Sequence, residues 1–211
     1  LVFSIIFSHL LFAQSDCPTA MAVCGNSDIS YTPGGHGDIA EDLGGCLSSD
    51  EKYSVWYSFT VATAGTLTFE IIPNDQSDDY DFGVYGPNKS CGSLGTPIRC
   101  SYSGTSGNTG LNMTATDLSE DASGDKWVKY LDVLPGQTYY LIVNNHRETA
   151  NGFKLSWGGT ATLSSPFTDP NIQPHPFIPP GIPGASPTDP REVVVCANPA
   201  TFDFSSLTAG I

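Results

Sequence analysis

The stretch NDQSDDYDFGVYGPNKSCG, Asn74 to Gly92, sets four aspartates within seven residues, Asp75, Asp78, Asp79 and Asp81, ahead of an alternating apolar run. Hard oxygen donors crowded in this way suit Ca²⁺, which takes about six to eight oxygens from carboxylates, loop carbonyls and water. In an extended strand, residues two apart share a face. Asp79 and Asp81 are therefore expected on the side opposite Tyr80, Phe82 and Val84. Asp75 and Asp78 belong to the preceding loop and are free to turn inward, and Glu70 is a candidate fifth carboxylate from a neighbouring strand. The spacing is not that of an EF-hand loop. The competing reading is a solvated acidic loop leading into a core strand. The candidate metal set is Asp78, Asp79, Asp81 and Glu70, with calcium as the cofactor.

Support for catalysis is thin. No G-x-S-x-G nucleophile elbow and no H-E-x-x-H helix occurs. His36 has Asp38 close by and His146 ends a predicted strand, but few other histidines remain for a triad. Glu70 and Asp81 could serve as a glycosidase pair only if folded to within roughly 5 to 9 Å of each other. The expectation is a chain that binds and does not catalyse. Aromatic rings offer a second binding chemistry, because Trp and Tyr faces stack on sugars. Trp56, Trp127 and Trp157 are the large platforms. Trp56 alternates away from Val55, Tyr57 and Phe59 and is the candidate ligand-binding residue. Trp157 shares a face with Phe153 and Leu155 and is expected in the core.

The remaining composition narrows the class. The 211 residues carry 22 acidic and 8 basic side chains, a formal net charge of −14. Nucleic-acid binding draws on clustered Lys and Arg, and none are clustered here. An apolar fraction of 39% supports a packed core, while 22 glycines and the lack of long helical patterns indicate an all-β chain. Period-2 runs lie at 53–61, 66–72, 80–86, 97–103, 127–134, 138–145 and 152–161. "ATAG" and "PGQ" read as turns, the latter as a hairpin. About seven such strands predict an antiparallel β-sandwich or jelly roll over 16–163. The polar, glycine-rich stretch 101–126 reads as one long loop.

The flanks differ from this core. Residues 1–14 resemble the apolar part of a secretory signal peptide truncated at its N-terminus, too short to span a bilayer. Cys17 follows Gln14, Ser15 and Asp16, which is no lipidation signal. Nine of the 16 prolines fall within 166–190. The segment 164–190 is therefore expected to be a semi-rigid linker, and 191–211 the first strands of a second, Ig-like β module. Six cysteines in an exported chain should mostly pair. Cys91 and Cys100 flank a turn-rich segment and are the expected local pair. Cys24–Cys46 is the second candidate, which leaves Cys17 and Cys196 open.

Several phrases together, "DCPTAMAVCGN", "GTLTFEIIPND", "DYDFGVYGPN" with "CGSLGTPIRCS", and "PGQTYYLIVNN" with "GFKLSWGGTA", resemble the N-terminal domain of large Bacteroidota surface proteins. The resemblance spans about 16–163, and "VVVCANPATFDFSSLTAGI" is similar to the start of the repeats that follow in them. Proteins of that kind carry Ig-like repeats and a gliding-motility-associated C-terminal domain read by the type IX secretion system. The plan is also similar to the bacterial pre-peptidase C-terminal domain, a jelly-roll accessory module in which a D-x-D strand is typical and calcium binding is known. The matching positions are Asp79 and Asp81. The resemblance implies a non-catalytic adhesion module, secreted or on the cell surface. Its partners would be secretion machinery and an extracellular polysaccharide or protein surface, with no nucleic acid and no membrane span. The alternative is an accessory or carbohydrate-binding domain of a secreted hydrolase.

Overall fold

The structure, a computed structural model, describes residues 14–39, 41–47 and 51–165. The expected linker and the start of a second module lie outside the described residues, as does nearly all of the signal-like segment. Thirteen strands follow in chain order. They are β1 (Met21–Ala22), β2 (Ile29–Tyr31), β3 (Tyr53–Thr63), β4 (Gly65–Pro73), β5 (Tyr80–Tyr85), β6 (Arg99–Ser101) and β7 (Thr109–Asn112). After them come β8 (Ser119–Glu120), β9 (Trp127–Lys129), β10 (Leu131–Val133), β11 (Thr138–Asn145), β12 (Phe153–Gly159) and β13 (Thr162–Leu163). The first sheet runs β1-β3-β11-β5-β6-β8 with β13 beside β3, and the second runs β2-β12-β4-β7-β9 with β10 beside β4. The two pack face to face as an all-β sandwich.

Alternating side chains fill the space between the sheets. Val55, Tyr57, Phe59 and Val61 of β3 meet Leu67, Phe69 and Ile71 of β4, with Phe82, Val84, Leu141, Val143, Phe153 and Leu155 around them. Trp157 joins this core, with its ring 5.1 Å from that of Phe59. All six residues of β5 are buried.

Three expectations need correction. The sheets are mixed, because β1–β3, β6–β8 and β7–β9 pair in parallel. The long polar loop holds β7 and β8, whose glycines and hydroxyls hide the alternation. The "PGQ" turn is no hairpin, since β10 pairs with β4 whereas β11 pairs with β3 and β5. It is a corner between sheets, with Gly136 at φ 78°.

The first sheet has a second apolar side. Trp56, Tyr85 and Ile142 point away from the core and are fully buried beneath Leu43, Leu47, Leu94 and Cys17. Among the described residues this cover has no strand of its own over the sheet. It consists of the segment after Gln14, the coil ending in the turn Gly45–Leu47, and the turn Cys91–Ser93. Two disulfides hold it, Cys17–Cys91 and Cys46–Cys100. The expected Cys91–Cys100 and Cys24–Cys46 pairs are therefore not formed, and Cys24 is not free either. Cys100 faces outward opposite Gly83. A Cβ at Gly83 would come 2.9 Å from Leu47 Cδ1, so the missing side chain makes room for the cover. Both ends of the domain fasten to β3. Trp56 N donates to Gln14 O at 2.8 Å, and Ser164 N donates to Thr60 O at 2.7 Å.

Cross-linking long loops removes more unfolded-state entropy than linking near neighbours. With its partners 54 apart in sequence, Cys46–Cys100 is worth about 4 kcal/mol in the loop-entropy picture. Replacing both cysteines with serine should lower the urea midpoint accordingly. It should also make Trp56 emission more quencher-accessible before global unfolding.

Candidate functional site

Asp79 and Asp81 stand on the outer side of β5, beside the covering layer and opposite Tyr80, Phe82 and Val84 of the core. Both are buried, at 6% and 2% exposure. Asp81 pairs across the sheet with Asn144, whose Oδ1 accepts a hydrogen bond from Lys52 N at 2.6 Å. Asp79 O accepts from His146 N at 2.9 Å, and the His146 ring meets Tyr102 edge-on at 6.0 Å. Asp79 Oδ1 is buried with no hydrogen-bond partner. An unpartnered buried carboxylate oxygen is costly.

The electrostatics follow from this crowding. Burial first, then the charge of Asp79, pushes the Asp81 carboxyl up to about 8. Burial also raises Asp79, against the opposing pull of His146, Arg147 and Lys126.

The expected four-residue metal set is only half assembled. Asp78 lies on the Tyr80 side, where its carboxylate accepts from Asn151 Nδ2 at 3.1 Å. Asp75 is exposed and closes a local turn by accepting from Ser77 N at 2.9 Å. Glu70 belongs to β4 in the other sheet, where it accepts from Asn108 Nδ2 at 2.8 Å. Strand alternation puts it on that sheet's outer side, so the sandwich separates Glu70 from Asp81, and the two cannot act on one bond. Among the described residues no three His, Cys, Asp or Glu side chains gather as a metal site. The Asp79–Asp81 pair fits an ion only with backbone or water oxygens completing its shell. Trp56 is not a surface platform. It is fully buried, and its Nε1 donates to Glu51 Oε1 at 2.8 Å.

A second carboxyl pair was not visible in the sequence. Glu41 accepts from Cys17 N at 2.8 Å, while Glu51 accepts from Ser54 Oγ at 2.7 Å and from Trp56 Nε1. Burial, followed by a hydrogen bond to Glu41, pushes Glu51 up to about 8. Both residues lie between the cover and the sheet, and each has a buried Oε2 without a hydrogen-bond partner. They come from separate loops, so no local spacing announces them.

No family model matches the chain, and no curated protein matches it. Among the described residues no helix is long and apolar enough to cross a membrane.

Asp81 and Glu51 hold protons in the folded chain up to about pH 8, whereas unfolded carboxyls release them near about pH 4. The folded state then binds more protons across that window, so stability falls as pH rises from roughly 4 to 8 and levels off above it. Each group contributes a slope of up to about 1.4 kcal/mol per pH unit. Thermal melts from pH 4.5 to 8.5 should show the decline. Asp81→Asn should remove its share of the slope and leave that of Glu51.

Proposed function

We propose that this chain is an exported, non-catalytic binding module of a multidomain cell-surface protein. The observation that carries this reading is the coil layer cross-linked over the first sheet by two long-range disulfides. Such bonds form and persist in oxidising compartments. A cover that depends on them suits a protein that matures outside the cytosol. The signal-like start, the acidic surface and the resemblance to Bacteroidota surface proteins point the same way. An accessory domain of a secreted hydrolase remains the second reading. An enzyme domain elsewhere in the same protein would favour the second reading, and Ig-like repeats the first.

The test is location together with redox state. Antibody raised against the chain should label intact, unpermeabilised cells or the culture medium, and the recovered protein should hold no thiols that react after denaturation. Recovery as a reduced cytosolic protein would overturn the proposal.

Within this reading, Asp79 and Asp81 are a cation-dependent stabilising point. A divalent ion would relieve the repulsion of the pair and occupy the unpartnered Asp79 Oδ1. Calcium at a hundredfold over its Kd adds about 2.7 kcal/mol to stability. At pH 8 the melting temperature should rise by several degrees in calcium over chelator. Asp79→Asn combined with Asp81→Asn should abolish the rise. An unchanged melting temperature in the parent protein removes the ion from the proposal.

A further inference from the structure

Among the described residues, the outer face of the second sheet has no covering layer like that of the first. It holds a groove of about 360 Å³ lined by Thr68, Glu70, Asn112, Trp127 and Ser156, with Met113 on its rim. The register puts Ser156, Glu70, Gly110 and Trp127 in one row across four adjacent strands. Glu70 and Trp127 are thus two strands apart, about 10 Å at the usual strand spacing, and Gly110 puts no side chain between them. Gly158 opens the floor again beside Thr68. Gly110 is required by its own backbone, at φ 149° with Phe69 O only 2.1 Å from where a Cβ would stand. Gly158 has no such positive φ and meets only the Thr68 hydroxyl at 2.7 Å. Glycine inside a strand weakens it and often marks the close approach of a ligand or another backbone.

The polar groups around this floor are held in place. Glu70 uses Oε1 to hold Asn108. Asn112 Oδ1 accepts from Thr114 N, Thr114 Oγ1 and Ala115 N, which locks the amide and leaves its NH₂ to face other partners. Ser156 Oγ donates to Asp28 Oδ1 at 2.7 Å. Trp127 is half-buried, and its backbone N–H donates to Asp125 Oδ1 at 2.9 Å. A half-buried indole two strands from a carboxylate across a bare backbone floor, with amide and hydroxyl groups alongside, matches a pyranose ring. Such a ring has an apolar face to stack and a rim of hydroxyls to bond. Preorganised groups of this kind lose little entropy on binding.

We propose that this groove binds a neutral polysaccharide, with Trp127 as the stacking platform and Glu70 and Asn112 as hydroxyl partners. The choice of a neutral chain follows from the net charge of −14, which disfavours acidic glycans. This site rests on the reading of the chain as an extracellular binding module. It also moves the sugar-binding role from Trp56 to Trp127.

The test is native affinity electrophoresis of the full chain through gels containing galactomannan, xyloglucan or laminarin, with polygalacturonate as the anionic probe. At least one neutral polysaccharide should slow the protein twofold or more, and polygalacturonate should not. Trp127→Ala should abolish the retardation, while Glu70→Gln and Asn112→Asp, which keep the oxygens that hold Asn108 and the turn at Thr114–Ala115, should each weaken the apparent affinity about tenfold at an unchanged melting temperature. If Trp127→Ala does not fold, the other two variants carry the test. Retardation by no neutral polysaccharide, retardation only by polygalacturonate, or retardation that survives in every folded variant would overturn the proposal. Surface location of a chain that binds none of these probes would sink the groove and leave the extracellular reading standing.

Discussion

Trp56, Tyr85 and Ile142 project from the side of the first sheet that a sandwich ordinarily leaves to water. Large apolar side chains in that position must be covered, and much of the remaining architecture answers this requirement. Gly83 leaves space on the sheet, Leu43 and Leu47 enter from one coil, and Leu94 comes from another. Tyr85 donates its hydroxyl to Leu43 O at 2.7 Å, which gives the layer a polar anchor as well. Coil has no ladder of its own to resist fraying, and covalent bonds take over that task. The described residues form three layers, of which the third is irregular and cross-linked.

The strands that face the main core were legible because one side of each is apolar and the alternation is regular. β3, β4, β5, β11 and β12 emerge within a residue or two of their expected limits. The missed strands β1, β2, β7 and β8 are two to four residues long, too short to show an alternation, and β1, β7 and β8 each have a parallel partner. Trp56 shows a different limit. Period-2 alternation says which way a side chain points and nothing about what lies on top of it. The disulfides fail in the same way, because closeness in sequence favours Cys91 with Cys100, whereas the cover brings Cys17 and Cys46 from elsewhere. Asp79 and Asp81 share a face as their spacing dictates. Asp78 and Glu70 diverge because strand alternation and sheet membership separate them.

Glu51 and Asp81, the two carboxyls pushed up to about 8, are buried on the side of the sheet that carries this third layer. Glu51 lies between the cover and Trp56, and Glu41 reaches Cys17 N on the incoming segment. Asp81 sits further along the same side of the sheet. Burial disfavours the charged forms of Glu51 and Asp81, so proton binding and the seating of the cover are linked. The second sheet shows the opposite economy. Its outer side is polar and glycine-spaced, with Glu70 and Trp127 left facing water across Gly110.

Attachment at Gln14 and at Ser164 makes β3 the strand on which the domain hangs. The two anchor points, Trp56 and Thr60, are four residues apart, about 13 Å along an extended strand. A tensile load applied through the flanking chain would enter and leave over that short span, and the Cys17–Cys91 bridge lies just inside the entrance. Most of the sandwich, including the groove on the far sheet, lies off the line of force. A domain hung in this way would keep the shape of its exposed face under load on its flanking chain.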